Sequence, residues 1–163
     1  CEGYREKALL EFLVSTGCRL SEVAQLHAAD LDLTERTVKV TGKGDKARWV
    51  YFSVRARLML QEYIRARKGG EGLFCSCKSP YQPLKQRAIQ RIIHNISERA
   101  GLAARVHPHL LRHTFATHAI NGGMDVTVIQ KLLGHEDVST TQIYAALNDE
   151  TIRHQYNKFI AAN

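Results

Sequence analysis

One stretch of the chain, TVKVTGKGDKARWVYFS at residues 37–53, alternates as two β-strands about a turn, while the segments around it repeat with helical spacing. Val38 and Val40 alternate with polar residues, Gly42-Lys43-Gly44-Asp45 supplies turn chemistry, and the returning ARWVYFS is β-branched and aromatic. A lone hairpin among helices limits the fold to a mainly α architecture with a small antiparallel β-sheet, of the α+β class. The tip carries Lys43 and Lys46, with Arg48 just beyond. Such a tip is often only an exposed, solubilising loop, with Asp45 serving the turn. It is equally a means of carrying one ammonium into a ligand site, because a short tip moves while its strands stay fixed.

The helical segments have readable faces and ends. Residues 4–16 put Ala8, Leu9, Phe12 and Leu13 on one face, and Gly17 is the expected C-cap. Ser21 reads as the N-cap of a short second helix containing Glu22. That leaves Arg19 at a turn, where an exposed surface arginine is the ordinary reading. Residues 54–68 form an amphipathic helix through Leu58, Leu60 and Ile64, GLFCS a short strand, and residues 85–100 a helix with Ile89, Ile92, Ile93 and Ile96 as its core stripe. Lys85, Arg87 and Arg91 stand near the start of that last helix. Cations there oppose the helix dipole, which an external anion such as a phosphate backbone would relieve. Asp125 and Gly134 are expected to cap a further helix, with His135 just past its end. Tyr144 falls on a short helix, and residues 149–162 form the last one.

The 163 residues suit one domain with a real core. A formal charge of +7, from 23 Lys and Arg against 16 Asp and Glu, favours a polyanionic partner, nucleic acid first. No apolar run approaches the roughly 18 residues of a membrane span and no secretory signal pattern is seen, so an intracellular chain without membrane association is expected. The chain opens on Cys1 without a start methionine, as a fragment of something longer would. Four cysteines are few and irregular for a disulfide framework. Cys75 and Cys77 lack a second pair, and they read as reduced thiols and not as half a zinc site.

HPHLLRHTFATH, residues 107–118, places four histidines and an arginine in twelve positions of a helix. His109 and Arg112 point the same way, with Cβ atoms about 5–6 Å apart, while Leu111, Phe115 and Ala119 face the core. His109 and His113 have a chelating spacing, but no glutamate stands between them and the guanidinium would repel a dication. An arginine beside a histidine suits an oxyanion instead, with one group to bind it and one to move a proton. No metal and no cofactor is expected.

TGCRLSEVAQL, GKGDKARWV and HPHLLRHTFATHAINGGMDVTVIQKLLGHEDVSTTQIY, in that order, resemble the tyrosine recombinase (phage integrase) family. Arginine, lysine, His-x-x-Arg, histidine and tyrosine fall in sequence from residue 19 to residue 144. The resemblance implies the catalytic-domain fold of DNA breaking-rejoining enzymes over residues 1–163, with no counterpart of the family's N-terminal core-binding domain. It implies that Tyr144 attacks a DNA phosphodiester to give a 3′-phosphotyrosyl link and a free 5′-hydroxyl. Arg19 and Arg112 would hold the non-bridging oxygens, His109 would accept the tyrosine proton, His135 would donate to the phosphate, and Lys43 would protonate the departing 5′-oxygen. Glu22 would orient the arginines, and His113 and His118 would be structural. Lys46, Arg48, Lys85, Arg87 and Arg91 are candidates for DNA backbone contacts. Double-stranded DNA would be the partner, with a tetramer on two DNA sites, in the cytoplasm of a bacterium and on its nucleoid, encoded by the bacterium or a phage. The last segment, through Tyr156, Phe159 and Ile160, would dock on a neighbouring protomer or fold back in cis. A type IB topoisomerase and a catalytically silent DNA-binding module are the competing readings. A metal-dependent hydrolase would lose activity to a chelator.

Overall fold

The computed structural model describes residues 2–102, 106–134 and 149–161, and of Lys43 the backbone alone. In chain order these form α1 (Glu2–Thr16), α2 (Leu20–Val23), β1 (Thr37–Thr41), β2 (Ala47–Tyr51), α3 (Val54–Ala66), α4 (Gln86–Arg99), α5 (Pro108–Asn121), α6 (Val126–Leu133) and α7 (Asp149–Ala161). The expected mainly α architecture with a two-stranded antiparallel sheet is what the chain adopts. Among the described residues, no helix is long and apolar enough to cross a membrane.

The hairpin register pairs Val38 with Val50, Lys39 with Trp49 and Val40 with Arg48. Val38, Val40 and Val50 are at most 1% exposed, so one face of the hairpin is core. Arg48, opposite Val40 and two residues from Val50, lies on that same inner face. The tip is a 3₁₀ turn, Lys43–Asp45, in which Gly44 and Asp45 both take positive φ.

Two apolar clusters share the interior. The first joins the α1 face (Ala8, Leu9, Phe12, Leu13) to the hairpin valines, Phe52, Leu60, Tyr63, Phe74 and the isoleucines of α4. Phe12 sits at its centre, with ring centroids 5.9 Å from Phe52 and 6.2 Å from Phe74. The second collects Tyr51, Phe115, Ala119, the inner face of α6 and Ile152, Tyr156 and Phe159 of α7. The terminal helix therefore packs in cis on its own domain. Its Tyr156 hydroxyl, buried in that cluster, donates to Ser15 O at 2.8 Å and ties α7 to α1.

Several local expectations are corrected. The short second helix is capped by Arg19, not Ser21, because the Glu22 carboxylate reaches back to the Arg19 backbone N–H at 2.8 Å. Leu58 is 47% exposed: α3 buries Ala56, Leu60 and Tyr63, and a position two residues from Leu60 is turned about 200° away. GLFCS forms only isolated bridges, Gly72 to His27 and Cys75 to Pro83. His113 and His118 are exposed on α5.

Candidate active site

The last carbonyls of a helix have no donor within it. At the end of α6, three successive ones are taken by three arginines from distant parts of the chain. Leu132 O accepts from Arg48 Nε at 2.7 Å, Leu133 O from Arg112 Nη2 at 2.5 Å, and Gly134 O from Arg19 Nη2 at 3.0 Å. The negative end of the helix dipole favours cations at this place. Gly134 ends α6 at φ 65°, with its N–H returning to the Lys131 carbonyl, as expected of the glycine cap.

Each arginine is also held from a second side. Arg112 Nη1 donates to Gly17 O at 2.7 Å, so the carbonyl that follows α1 braces α5. Gly17 must be a glycine there: its φ is +62°, and a Cβ would lie 2.7 Å from side-chain atoms of Phe115 and Leu133. Glu22, 2% exposed, is the second brace. Its Oε1 accepts from Arg48 Nη1 at 2.7 Å and Arg19 Nη1 at 3.1 Å, and its Oε2 from Arg48 Nη2 at 3.0 Å and the Arg19 backbone N–H at 2.8 Å. Both oxygens are thus fully used.

The charges answer to this crowding. Burial alone would raise the Glu22 carboxyl, but the hydrogen bonds and charge of Arg48, with those of Arg19, outweigh it and hold the group below its ordinary range. Burial first, and then the Arg19 charge, bring Arg112 down to about 10, which still leaves it protonated at neutral pH. Burial, with the Glu22 charge second, pushes the neighbouring Cys18 thiol up to about 11. Cys18 is therefore a neutral wall of the site and no nucleophile.

Arg19, Arg112 and His109 line one open cleft of about 490 Å³, together with His107, Gln86 and Gln90. Each guanidinium has five N–H donors, and among the described residues Arg112 and Arg19 each give two side-chain bonds to carbonyl or carboxylate oxygens. His107, not singled out from the sequence, is the N-cap of α5; its Nδ1 accepts from the Leu110 N–H at 3.2 Å. Pro108 at the first helical position, directly after it, was the available signal.

The expected residues therefore divide. Arg19, Glu22, His109 and Arg112 come together. Lys43 stands at the hairpin tip, and His135 and Tyr144 lie outside the described residues. Lys85, Arg87 and Arg91 are exposed at the start of α4, beside the cleft, and Lys46 is exposed on the hairpin. Lys85 and Arg87 line a second groove of about 740 Å³ that shares Ser21 and Gln86 with the cleft. Arg48 is corrected: its side chain is 14% exposed and all three of its nitrogens are engaged inside the protein, so it is not offered to DNA. Glu22 braces Arg19 and Arg48, while Arg112 is held by backbone carbonyls.

A model of the phage integrase family matches residues 1–151. The tyrosine recombinase XerC of Bacillus subtilis (strain 168) is 40% identical over 163 residues, covering 94% of this chain and 53% of the relative. A crystal structure of XerA recombinase superposes with a TM-score of 0.74 at 34% identity, over 95% of this chain and 58% of that one. The XerH site-specific recombinase bound to its difH substrate, a pre-cleavage complex, gives a TM-score of 0.68 at 29% identity, over 93% and 45%. The chain spans about half the length of the curated relatives it matches.

Proposed function

The chain belongs to the phage integrase family, and on that premise we propose that it is the catalytic domain of a site-specific DNA recombinase acting through Tyr144. The observation that carries this reading is the convergence of Arg19 and Arg112, from separate helices, on the end of α6 with His109 in the same cleft. Two guanidiniums fixed in place by carbonyl and carboxylate acceptors can hold both non-bridging oxygens of one phosphodiester and take up the charge of its pentacoordinate transition state.

A free phenol titrates near about 10 and attacks poorly at neutral pH. In this reading His109 takes the proton from the Tyr144 hydroxyl as its oxygen bonds to phosphorus. The bond to the 5′-oxygen breaks, Lys43 protonates that oxygen, and His135 donates a hydrogen bond to the phosphate. The products are a 3′-phosphotyrosyl link and a free 5′-hydroxyl. A 5′-hydroxyl from another strand reverses the step and completes the exchange. The energy of the broken phosphodiester is kept in the tyrosyl link, so neither ATP nor a metal is required. Lys46, Lys85, Arg87 and Arg91 would position the duplex by its backbone. The working assembly would be a tetramer on two sites, in the cytoplasm and on nucleoid DNA.

Covalent capture tests this. The protein and Tyr144→Phe are incubated, in EDTA, with a pool of nicked suicide duplexes randomised on both sides of the nick. An SDS-resistant adduct formed only with Tyr144 is expected. No adduct would leave a DNA-binding module without chemistry, and an adduct abolished by EDTA would overturn the metal-free step.

A further inference from the structure

Arg48 has no part in the chemistry above, yet it makes three side-chain bonds in the site, where Arg19 and Arg112 make two each among the described residues. We infer that Arg48 is a positioning residue for strand cleavage: it closes the charge of Glu22, so that this carboxylate aims Arg19 at the phosphate without neutralising it. The inference rests on the functional reading above.

Glu22 brings one negative charge to two guanidiniums. With Arg48 absent, Glu22 and Arg19 would form a closed neutral pair, and the field of Arg19 in the cleft would be cancelled. With Arg48 engaged on both carboxylate oxygens, Glu22 is matched from the inside and still orients Arg19 from behind. The exposures fit this division, with 14% for the Arg48 side chain and 38% for that of Arg19. Its third bond, Nε to Leu132 O, fastens the hairpin to the last turn of α6, which ends two residues before His135. A Cβ on Gly134 would lie 3.0 Å from Arg48 Cζ and Nη1, so the guanidinium lies flat against backbone that only a glycine provides. Lysine would keep the charge but offers neither the planar pair of donors nor the third bond.

Arg48→Lys separates the two roles. It is assayed by single-turnover cleavage on a duplex captured from the pool, by DNA affinity, and by nitrogen-15 relaxation of the Arg19 Nε–H, with Arg5 as a rigid guanidinium elsewhere. Cleavage is expected to slow about 10- to 100-fold, as for a reacting group held out of line, with affinity within about twofold of the parent. The Arg19 resonance is expected to gain fast mobility while that of Arg5 does not. Glu22→Gln combined with Arg48→Lys should be no slower than the worse single variant. Unchanged cleavage in Arg48→Lys, or multiplicative losses in the double variant, would overturn the inference. If the parent forms no adduct the functional reading falls, and the role in cleavage with it; a mobile Arg19 in Arg48→Lys would then show only that Arg48 fixes Arg19, and a rigid one would remove that as well.

Discussion

Glu22 is enclosed among cations, and its removal should be felt in stability before it is felt in rate. Glu22→Gln keeps the shape but leaves Arg48 and Arg19 without their counter-charge, which is expected to cost about 3 kcal/mol at neutral pH. The pH dependence follows from the sign of the shift. The folded carboxyl titrates below the ordinary value of 4.5, so its contribution is complete above that value and is lost as pH falls through the lower, folded one. Urea unfolding between pH 3 and 7 should show this acid limb in the parent and a flatter one in Glu22→Gln. Arg112→Lys belongs to the same scale: the lysine retains charge without the planar donors, and cleavage should fall about 100-fold in single-turnover assays. Arg19, His109 and Arg112, which line one cleft, were legible because side-chain type and motif order single them out. The acceptors at Leu132, Leu133, Gly134 and Gly17 were not, since a backbone carbonyl leaves no mark on residue type. Arg48 was legible in principle, by sharing the parity of Val50, but a cation next to a lysine-rich turn reads as surface.

At the scale of elements, the site depends on where α1 and α6 stop. Gly17 and Gly134 both end their helices in the left-handed region, and each then offers its carbonyl to an arginine of the cleft. Gly17→Ala would place a methyl 2.7 Å from Phe115 and Leu133 at an unfavourable φ. A loss of about 1–3 kcal/mol is expected by thermal unfolding, and the acceptor of Arg112 should shift with the backbone. Cleavage measured well below the lowered melting point should therefore fall as well; an unaltered rate would show that Arg112 does not need Gly17. The ends of α5 and α6 could be read from Pro108, Asp125 and Gly134, because proline, N-cap acids and C-cap glycines act through local geometry alone. The strand expected at GLFCS failed for the opposite reason. Its Leu73, Phe74 and Cys75 are buried, but tertiary packing and single bridges hold them, and no ladder partner exists among the described residues.

Over the whole molecule, positive charge is divided into cations consumed by the fold and cations left to solvent. Arg48 and Arg5 are inside, and Arg99 is paired with Glu6 at 2.5 Å. Lys85 and Arg87 are exposed at the opposite end of α4, where a helix of fourteen residues puts them about 20 Å from Arg99. They flank the groove that runs into the cleft. If DNA enters along that groove, these two side chains replace condensed counterions and Arg99 does not. The logarithm of the binding constant should then fall linearly with the logarithm of salt, and Lys85→Ala and Arg87→Ala should each make the slope shallower by about 0.9. Arg99→Ala should leave the slope unchanged, although all three variants remove one positive charge from the same helix. Fluorescence anisotropy on a labelled duplex across a salt series measures this. Equal slopes for the three variants would mean that net charge and not this groove attracts the duplex, while a slope altered only by Arg99→Ala would place the DNA on the other end of α4.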